Sequence, residues 1–308
     1  MTEDPVAAAL ETPEPVAPRT GRVVIVANPV SGSYRQAEVA ALARELEAGG
    51  VCAEIRLTER PGHMVEIARD LAPAVDTLVV AGGDGSINEA VNGLLMRSPP
   101  PPALAVLPFG TANVLVRELG LPQRPGPIAA MLLRRRLAPL HLGRIGLRAF
   151  VLMVSAGLDG AVVHGVDLSA KRRFGRLAYA TLAARLVLAG GQPPVTVRAD
   201  GDVFEAAIAV VTTARCYGGP MTLTRHTDVT RPGLRLVALR GRSRLALLAA
   251  AVLLLLGRLD RLACVTDRAV ARVQLLGDGV RMQLDGEAIA ASDAAIEAHP
   301  RGLSIVVP

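Results

Sequence analysis

Between an apolar stretch and the start of a helical pattern the chain carries six small residues, Ala81-Gly82-Gly83-Asp84-Gly85-Ser86. The stretch before them, Asp76-Thr77-Leu78-Val79-Val80, has the composition of a strand buried on both faces, as in a parallel sheet. After them, Ile87, Ala90, Val91, Leu94 and Leu95 recur at helical spacing. A buried strand that turns directly into a helix commits this part of the chain to an α/β architecture. Three glycines let the backbone approach a polyanion and leave N–H groups pointing into the turn, and the helix N-terminus adds partial positive charge. The run therefore predicts a phosphate cradle. Asp84 is out of place in a loop that only grips phosphate; it suits a ribose hydroxyl, a metal-bound water or a catalytic network.

The flanking pattern repeats the alternation. Strands are expected at residues 23–27, 51–57, 77–81 and 103–107, and helices at 36–48, 63–71 and from Ile87 onward. Two further small-residue turns follow strands, Asn28-Pro29-Val30-Ser31-Gly32-Ser33 and Pro108-Phe109-Gly110-Thr111-Ala112-Asn113. Open parallel sheets bind ligands at the carboxyl ends of their strands, so the three loops are expected on one rim. Beyond about residue 137 the pattern changes to short β-like runs at 150–154, 195–198, 206–211, 234–239, 270–276, 280–284 and 303–307. Helical stretches near 177–188 and 245–256 interrupt them. These runs predict an antiparallel sandwich or open barrel. The expected division is a disordered Pro/Ala-rich tail at 1–21, an α/β domain at 22–137 and a β-rich domain at 138–308.

With 308 residues, 51% of them hydrophobic, the chain can fill two cores. Aromatics make up 2% and Trp is absent, which argues against a nucleic-acid surface built on stacking rings. The net charge of +6 comes almost wholly from arginine, since Lys171 is the one lysine. A Walker-A loop and a protein-kinase strand lysine are thereby both disfavoured. The clusters Arg134-Arg135-Arg136, Lys171-Arg172-Arg173 and Arg242 with Arg244 read either as solvated surface or as attraction to an anionic membrane. Residues 245–256 form an unbroken apolar run, too short for a crossing helix of about 20 residues. A buried helix and an interfacial helix with snorkelling arginines both fit it. Cys52, Cys216 and Cys264 are odd in number and far apart, which fits a reducing cytoplasm and no disulfide framework.

Four strings in this order, Asn28-Pro29 with Gly32, Gly82-Gly83-Asp84-Gly85-Ser86-Ile87-Asn88-Glu89, Gly110-Thr111-Ala112-Asn113 and Asp285-Gly286-Glu287, resemble the diacylglycerol kinase catalytic-domain family. That family holds bacterial soluble lipid kinases and is related to the sphingosine and ceramide kinases. The likeness runs from Arg22 to the C-terminus, with further matches at Thr58, Ser155-Ala156-Gly157-Leu158-Asp159 and Tyr217-Gly218-Gly219. It implies an N-terminal α/β domain with a parallel, Rossmann-like sheet of the NAD kinase and phosphofructokinase type, and a C-terminal antiparallel β-sandwich. It also implies ATP-dependent transfer of the γ-phosphoryl group to a lipid hydroxyl with Mg²⁺, on a substrate at the membrane surface. ATP would lie at an interdomain cleft against Asn28, Gly32, Thr58, Gly82, Gly83, Asp84, Gly85, Ser86, Ile87, Asn88, Thr111 and Asn113. Glu287 would take the acceptor proton, with Asp285 orienting it or helping to hold the metal and Asp84 in the catalytic network. A cytoplasmic protein, peripheral on the inner face of the membrane and able to form a homodimer, is compatible with the likeness.

The chemistry agrees. A site without lysine must neutralise phosphate charge with backbone amides, Mg²⁺ and arginine, and a lipid hydroxyl benefits from a general base. Each string also has a plainer reading: Asp285-Gly286 is a hairpin-turn signal, Ser86 with Glu89 a capping-box pair, and Thr111 or Asn113 a cap for a helix at 114–119. Departures from the family pattern are Ser86 for the usual Thr, which keeps the hydroxyl, and Val114 where many members carry an Asp of a metal-and-water network. Glu118, one turn later, is the candidate substitute. Pro232 falls where several members place a structural-metal Asp, and proline cannot coordinate one. The alternatives are an NAD kinase-like enzyme with a soluble acceptor and an inactive nucleotide- or lipid-binding regulator. For the lipid kinase, Asp84→Ala and Glu287→Gln are each expected to abolish transfer with little loss of stability. Diacylglycerol, ceramide, sphingoid bases and phosphatidylglycerol-like lipids all offer a suitable hydroxyl.

Overall fold

The computed structural model describes residues 21–98, 100–166, 176–189, 192–241 and 243–308. The expected tail, the string at Lys171 and Arg242 lie outside the described residues. The chain divides into two units, one holding the described residues up to Leu140 together with Pro300–Pro308, the other His141–His299.

The first unit runs β1 (Arg22–Ala27), α1 (Gln36–Ala48), β2 (Cys52–Leu57), α2 (His63–Arg69), β3 (Thr77–Gly82), α3 (Asp84–Leu95), β4 (Ala103–Pro108), α4 (Val114–Glu118), α5 (Pro125–Arg134) and β5 (Arg136–Leu140). Strands β2, β1, β3 and β4 are parallel neighbours in that order. Their register sets the site: Ala27 lies opposite both Leu57 and Ala81, and Ala81 opposite Leu107. The carboxyl ends are therefore flush, and the loops that follow them leave the sheet side by side. β3 and β4 are buried at every position, as their unbroken apolar runs require of strands covered on both faces. Helices α2 and α3 pack closely enough that a Cβ on Gly93 would sit 2.3 Å from the Val65 carbonyl oxygen.

The last strand, Leu303–Val307, departs from expectation. It pairs parallel to β4 and antiparallel to β5, completing the α/β sheet rather than joining the β-rich unit. An apolar run records that a strand is buried, with Leu303, Ile305 and Val306 inside, but not which sheet receives it. The Arg301 guanidinium steers the return by donating to the Leu95 and Arg97 carbonyls at 3.0 and 3.3 Å.

The second unit contains two six-stranded antiparallel sheets. One joins β6 (Gly143–Ile145), β7 (Arg148–Phe150), β9 (Val195–Ala199), β10 (Asp202–Ala206), β16 (Arg272–Leu276) and β19 (Ile296–Ala298). The other joins β8 (Met153–Gly157), β11 (Ile208–Thr212), β14 (Leu234–Leu239), β15 (Val265–Val270), β17 (Met282–Leu284) and β18 (Glu287–Ile289), and β12 (Cys216–Tyr217) and β13 (Met221–Thr222) form a small ribbon. Phe150, Val197 and Val273 of the first share one core with Val154, Val211, Leu236 and Met282 of the second, as a sandwich requires.

Two runs expected as single strands each break where the chain changes sheets. Residues 270–276 divide at Ala271, where the Asp200 carboxylate accepts the N–H groups of Ala271 and Arg272. Residues 150–154 divide at Val151, held in the same way by Asp285. An acid supplies the acceptors that a ladder partner would have given. Helix α6 (Leu158–Gly165) follows β8, and the described residues of this unit also form helices Arg176–Leu188 and Arg244–Leu255. Of the last helix only Leu247 and Ala250 are buried, which overturns the buried-helix reading of residues 245–256.

Candidate functional site

Three loops meet on the rim of the parallel sheet. The Asn28 side-chain amide donates to Ser86 Oγ at 3.2 Å, and its Oδ1 accepts the Val30 N–H at 3.1 Å, closing an Asx turn. The Ser33 N–H donates to the Phe109 carbonyl and the Phe109 N–H to that of Gly82. Glycine is required where the second and third loops touch: a Cβ on Gly110 would lie 2.7 Å from Gly83 Cα and 2.6 Å from Asn113 Oδ1. A Cβ on Gly82 would lie 2.6 Å from Ser86 Oγ. Gly83 is the N-cap of α3, with no side-chain cap, so the first N–H groups of that helix have no intrahelical acceptor. Thr58, at the end of β2, is tied to the same rim by its N–H to the Ala27 carbonyl, and Gly32 faces Thr111 Oγ1. The rim thus gathers Asn28, Gly32, Thr58, Gly82, Gly83, Gly85, Ser86, Thr111 and Asn113.

Three residues expected to contact nucleotide have partners within the protein. The side chain of Ile87 is buried in the core and its N–H donates to the Gly83 carbonyl. Asn88 is buried, its Oδ1 accepting from the Asn92 amide at 3.2 Å within the helix. The Asp84 carboxylate accepts the N–H groups of Val114 and Leu115 at 3.0 and 3.3 Å, which caps α4 from outside. Asn113, the formal N-cap in left-handed conformation at φ 47°, turns its Oδ1 back to the Gly110 N–H at 2.9 Å instead. The acid in the glycine loop is therefore satisfied by a neighbouring helix N-terminus. The capping box is absent too: Glu89 accepts the Gly62 N–H at 3.1 Å, binding the loop after β2 to α3. Glu118 is buried in α4.

In the second unit, Asp285 and Gly286 form the two-residue turn between β17 and β18, with φ of 48° and 84°, the left-handed pair of a type I′ hairpin. Its acids part company. Buried Asp285 accepts the N–H groups of Val151, Leu152 and Met153 at 2.8, 2.9 and 2.9 Å, which anchors the hairpin that carries Glu287. Glu287 projects from the start of β18 and pairs with Arg148 at 2.8 Å, both side chains less than half exposed. Such a pair contributes at most about 1 kcal/mol and opens readily.

A buried polar network lies beneath the turn. Gln283 Oε1 accepts the Gly286 N–H at 2.7 Å, while its amide donates to Ser155 Oγ at 2.8 Å and Asp159 Oδ2 at 3.1 Å. The Asp159 carboxylate also accepts the hydroxyls of Ser155 and Tyr217. Burial, reinforced by the Asp159 charge, raises the Tyr217 phenol well above its usual pKa, so the hydroxyl stays a donor. Three strings far apart in sequence, at Ser155, Tyr217 and Asp285, thus become one site.

Residues 22–145 match the diacylglycerol kinase catalytic domain, and residues 152–307 match the YegS C-terminal NAD kinase beta sandwich-like domain. The chain belongs to the diacylglycerol kinase catalytic-domain family. A diacylglycerol kinase of Bacillus subtilis is 29% identical over 64% of this chain and 67% of its own length. A probable lipid kinase YegS-like of Pseudomonas aeruginosa is 35% identical over 46% of each chain, so the match spans about half of that relative. A crystal structure described as a diacylglycerol kinase from Bacillus anthracis shares the fold, with a TM-score of 0.76 and 20% identity over 93% of this chain and 97% of its own.

Two residues that hold Glu287 and its turn carry no signal in the sequence pattern. Arg148 stands 139 positions from Glu287, and Gln283 reads as a strand residue. The antiparallel pairing of β17 with β8 sets Gln283 opposite Ser155, and the register Leu284↔Glu287 starts β18 beside them. Among the described residues, no group of three or more His, Cys, Asp or Glu side chains could hold a metal ion.

Proposed function

We propose that this chain is an ATP-dependent lipid kinase that transfers the γ-phosphoryl group of ATP to the hydroxyl of a lipid such as diacylglycerol. The observation that carries the proposal is the joint presence of a glycine-built rim at the ends of β1, β3 and β4 and an anchored hairpin that presents Glu287, in a chain of this family.

The amides at the start of α3 and the hydroxyls of Ser86 and Thr111 bind phosphate oxygens, and Asn28 holds Ser86 in place. Gly82, Gly83 and Gly110 let the loops of the rim close on one another, since a Cβ on each would meet Ser86, Asn113 or the facing glycine. Ser86 and Thr111 are the rim hydroxyls that would help to hold a Mg²⁺ ion, whose hard oxygen preference they fit. That ion supplies charge neutralisation on the transferred group. Glu287 leaves Arg148 and accepts the proton of the lipid hydroxyl as its oxygen bonds to the γ-phosphorus; the bond to the ADP oxygen breaks and ADP leaves. Gln283 and Asp285 hold the turn so that Glu287 meets the hydroxyl in one orientation.

Incubation with labelled ATP, Mg²⁺ and a total lipid extract, followed by thin-layer separation and mass analysis, tests the proposal. A labelled phospholipid that requires Mg²⁺ is expected. Label passing to NAD and not to lipid would replace it with a soluble-acceptor kinase, and no turnover with any acceptor would leave an inactive binding protein.

A further inference from the structure

The helix Arg244–Leu255 has no polar face. Ser243 caps it by accepting the Ala246 N–H at 3.1 Å, and Leu247 and Ala250 point inward. On the opposite side Leu245, Leu248, Val252 and Leu255 are 79, 52, 55 and 72% exposed, followed by Leu256 at 62%. Spacings of three and four residues put these side chains on one stripe, where a solvated helix carries charge. The helix Arg176–Leu188 contacts it and adds exposed Leu188 and Arg185. The ends of the stripe are basic: Arg244 lies exposed at one, Arg258 and Arg261 at the other, and Arg225 donates to the Gly257 carbonyl at 2.9 Å. From Ser243 to Leu259 the sequence holds no carboxylate, and Asp260 is exposed between Arg258 and Arg261.

We propose that this helix lies flat in the surface of an anionic bilayer, its Leu/Val stripe in the acyl boundary and Arg244, Arg258 and Arg261 on headgroup phosphates. The proposal deepens the lipid-kinase reading and rests on it for its purpose, since it brings the enzyme to a substrate that stays in the membrane. Length agrees: twelve residues span about 18 Å, short of a hydrocarbon core about 30 Å thick but ample for an interfacial helix. Among the described residues no helix is long and apolar enough to cross. Charge selects the occupant. Two copies packed antiparallel on this stripe would set Arg244 of one against Arg258 and Arg261 of the other, with Asp260 the one carboxylate at that end. An anionic surface supplies a partner at both ends.

Because the chain lacks Trp, Leu248→Trp places one reporter on the stripe. With the full chain, vesicles of phosphatidylglycerol and phosphatidylcholine at about three to seven are expected to shift its emission to the blue and to carry wild type upward in flotation, and pure phosphatidylcholine to do so at least tenfold less. Val252→Glu with Leu255→Glu is expected to reduce the floated fraction at least tenfold, and Arg258→Ala with Arg261→Ala to reduce it and its salt dependence, with melting temperatures unchanged because these side chains are exposed. Wild type that does not float, or the Glu pair floating as wild type does, overturns the proposal. So does a vesicle-independent blue shift accompanied by a dimer that the Glu pair dissolves, which assigns the stripe to a second copy. Transfer to a short-chain diacylglycerol dissolved as monomer separates the two readings: the Glu pair retaining it while losing vesicles supports both. Flotation by a chain that phosphorylates no lipid supports the docking surface and overturns the kinase alone.

Discussion

Asp84, in the middle of the glycine loop, accepts the backbone N–H of Val114 at 3.0 Å, thirty positions along the chain. The bond reverses the expected behaviour of this residue. An acid that met only ligand could be removed without harm to the fold; one that caps α4 and joins two loops cannot. Asp84→Ala is expected to cost about 2 kcal/mol, which for a chain of this size lowers the melting temperature by about 3 °C. Transfer falls with it as the Gly110 loop moves. Thermal unfolding beside steady-state kinetics checks this, and an unchanged transition with lost activity would restore the purely chemical role.

Glu287 and Asp285 should separate in the opposite sense. Glu287→Gln keeps the shape of a half-buried side chain and forfeits only a partly solvated ion pair, so stability stays within about 1 kcal/mol while kcat falls about 10²–10⁴-fold. Arg148→Ala is the matching control: it removes the same ion pair without removing the base.

Asp285→Ala leaves three buried N–H groups at the β7–β8 corner without their acceptor and is expected to destabilise by about 3–5 kcal/mol in urea unfolding. A variant that unfolds at the wild-type midpoint would mean that the corner is held by something else.

Much of the first unit was legible because local and tertiary signals agree there. Residues 36–48 carry an apolar stripe that becomes α1 with the expected bounds, and the runs at Thr77 and Ala103 become the two fully buried strands. Helix α5 was missed because Pro125 and Pro127 make its first turn read as loop, although proline suits that position. Helix α6 was hidden by Gly160, which is needed where the helix approaches the Arg281 carbonyl. The destination of residues 303–307 and the corners at Val151 and Ala271 depend on acids and strands far away in sequence. The site divides the same way: glycines and hydroxyls of the rim can be read from spacing, but the occupation of Asp84 by α4 and of Asp285 by β8 cannot.

The contact of the glycine loops makes its own prediction. Gly110→Ala sets a methyl group 2.7 Å from Gly83 Cα, between two backbones that cannot both yield. The loops should part and the cradle widen, raising KM for ATP about tenfold or more, equivalent to about 1.4 kcal/mol of lost binding, with a smaller change in kcat. KM for ATP at wild-type level would place the nucleotide away from this rim.

Tyr217 gives the chain a distinct alkaline behaviour. Its phenol is raised by burial and by the Asp159 charge, so above pH about 10 the unfolded chain releases this proton while the folded chain keeps it. The folded state then binds one proton more, and stability falls as pH rises, by up to about 1.4 kcal/mol per pH unit until the folded group itself ionises. Below pH about 10 both states hold the proton and no slope arises from this residue. Tyr217→Phe removes the titration, and it also takes a donor from Asp159, at a cost of about 1–3 kcal/mol. Urea unfolding of both proteins between pH 8 and 11 should therefore show the variant less stable at pH 8 and the gap narrowing above pH 10. Parallel curves would mean that the hydroxyl is not enclosed with the Asp159 carboxylate, and that the network beneath the Glu287 turn is looser than its hydrogen bonds indicate.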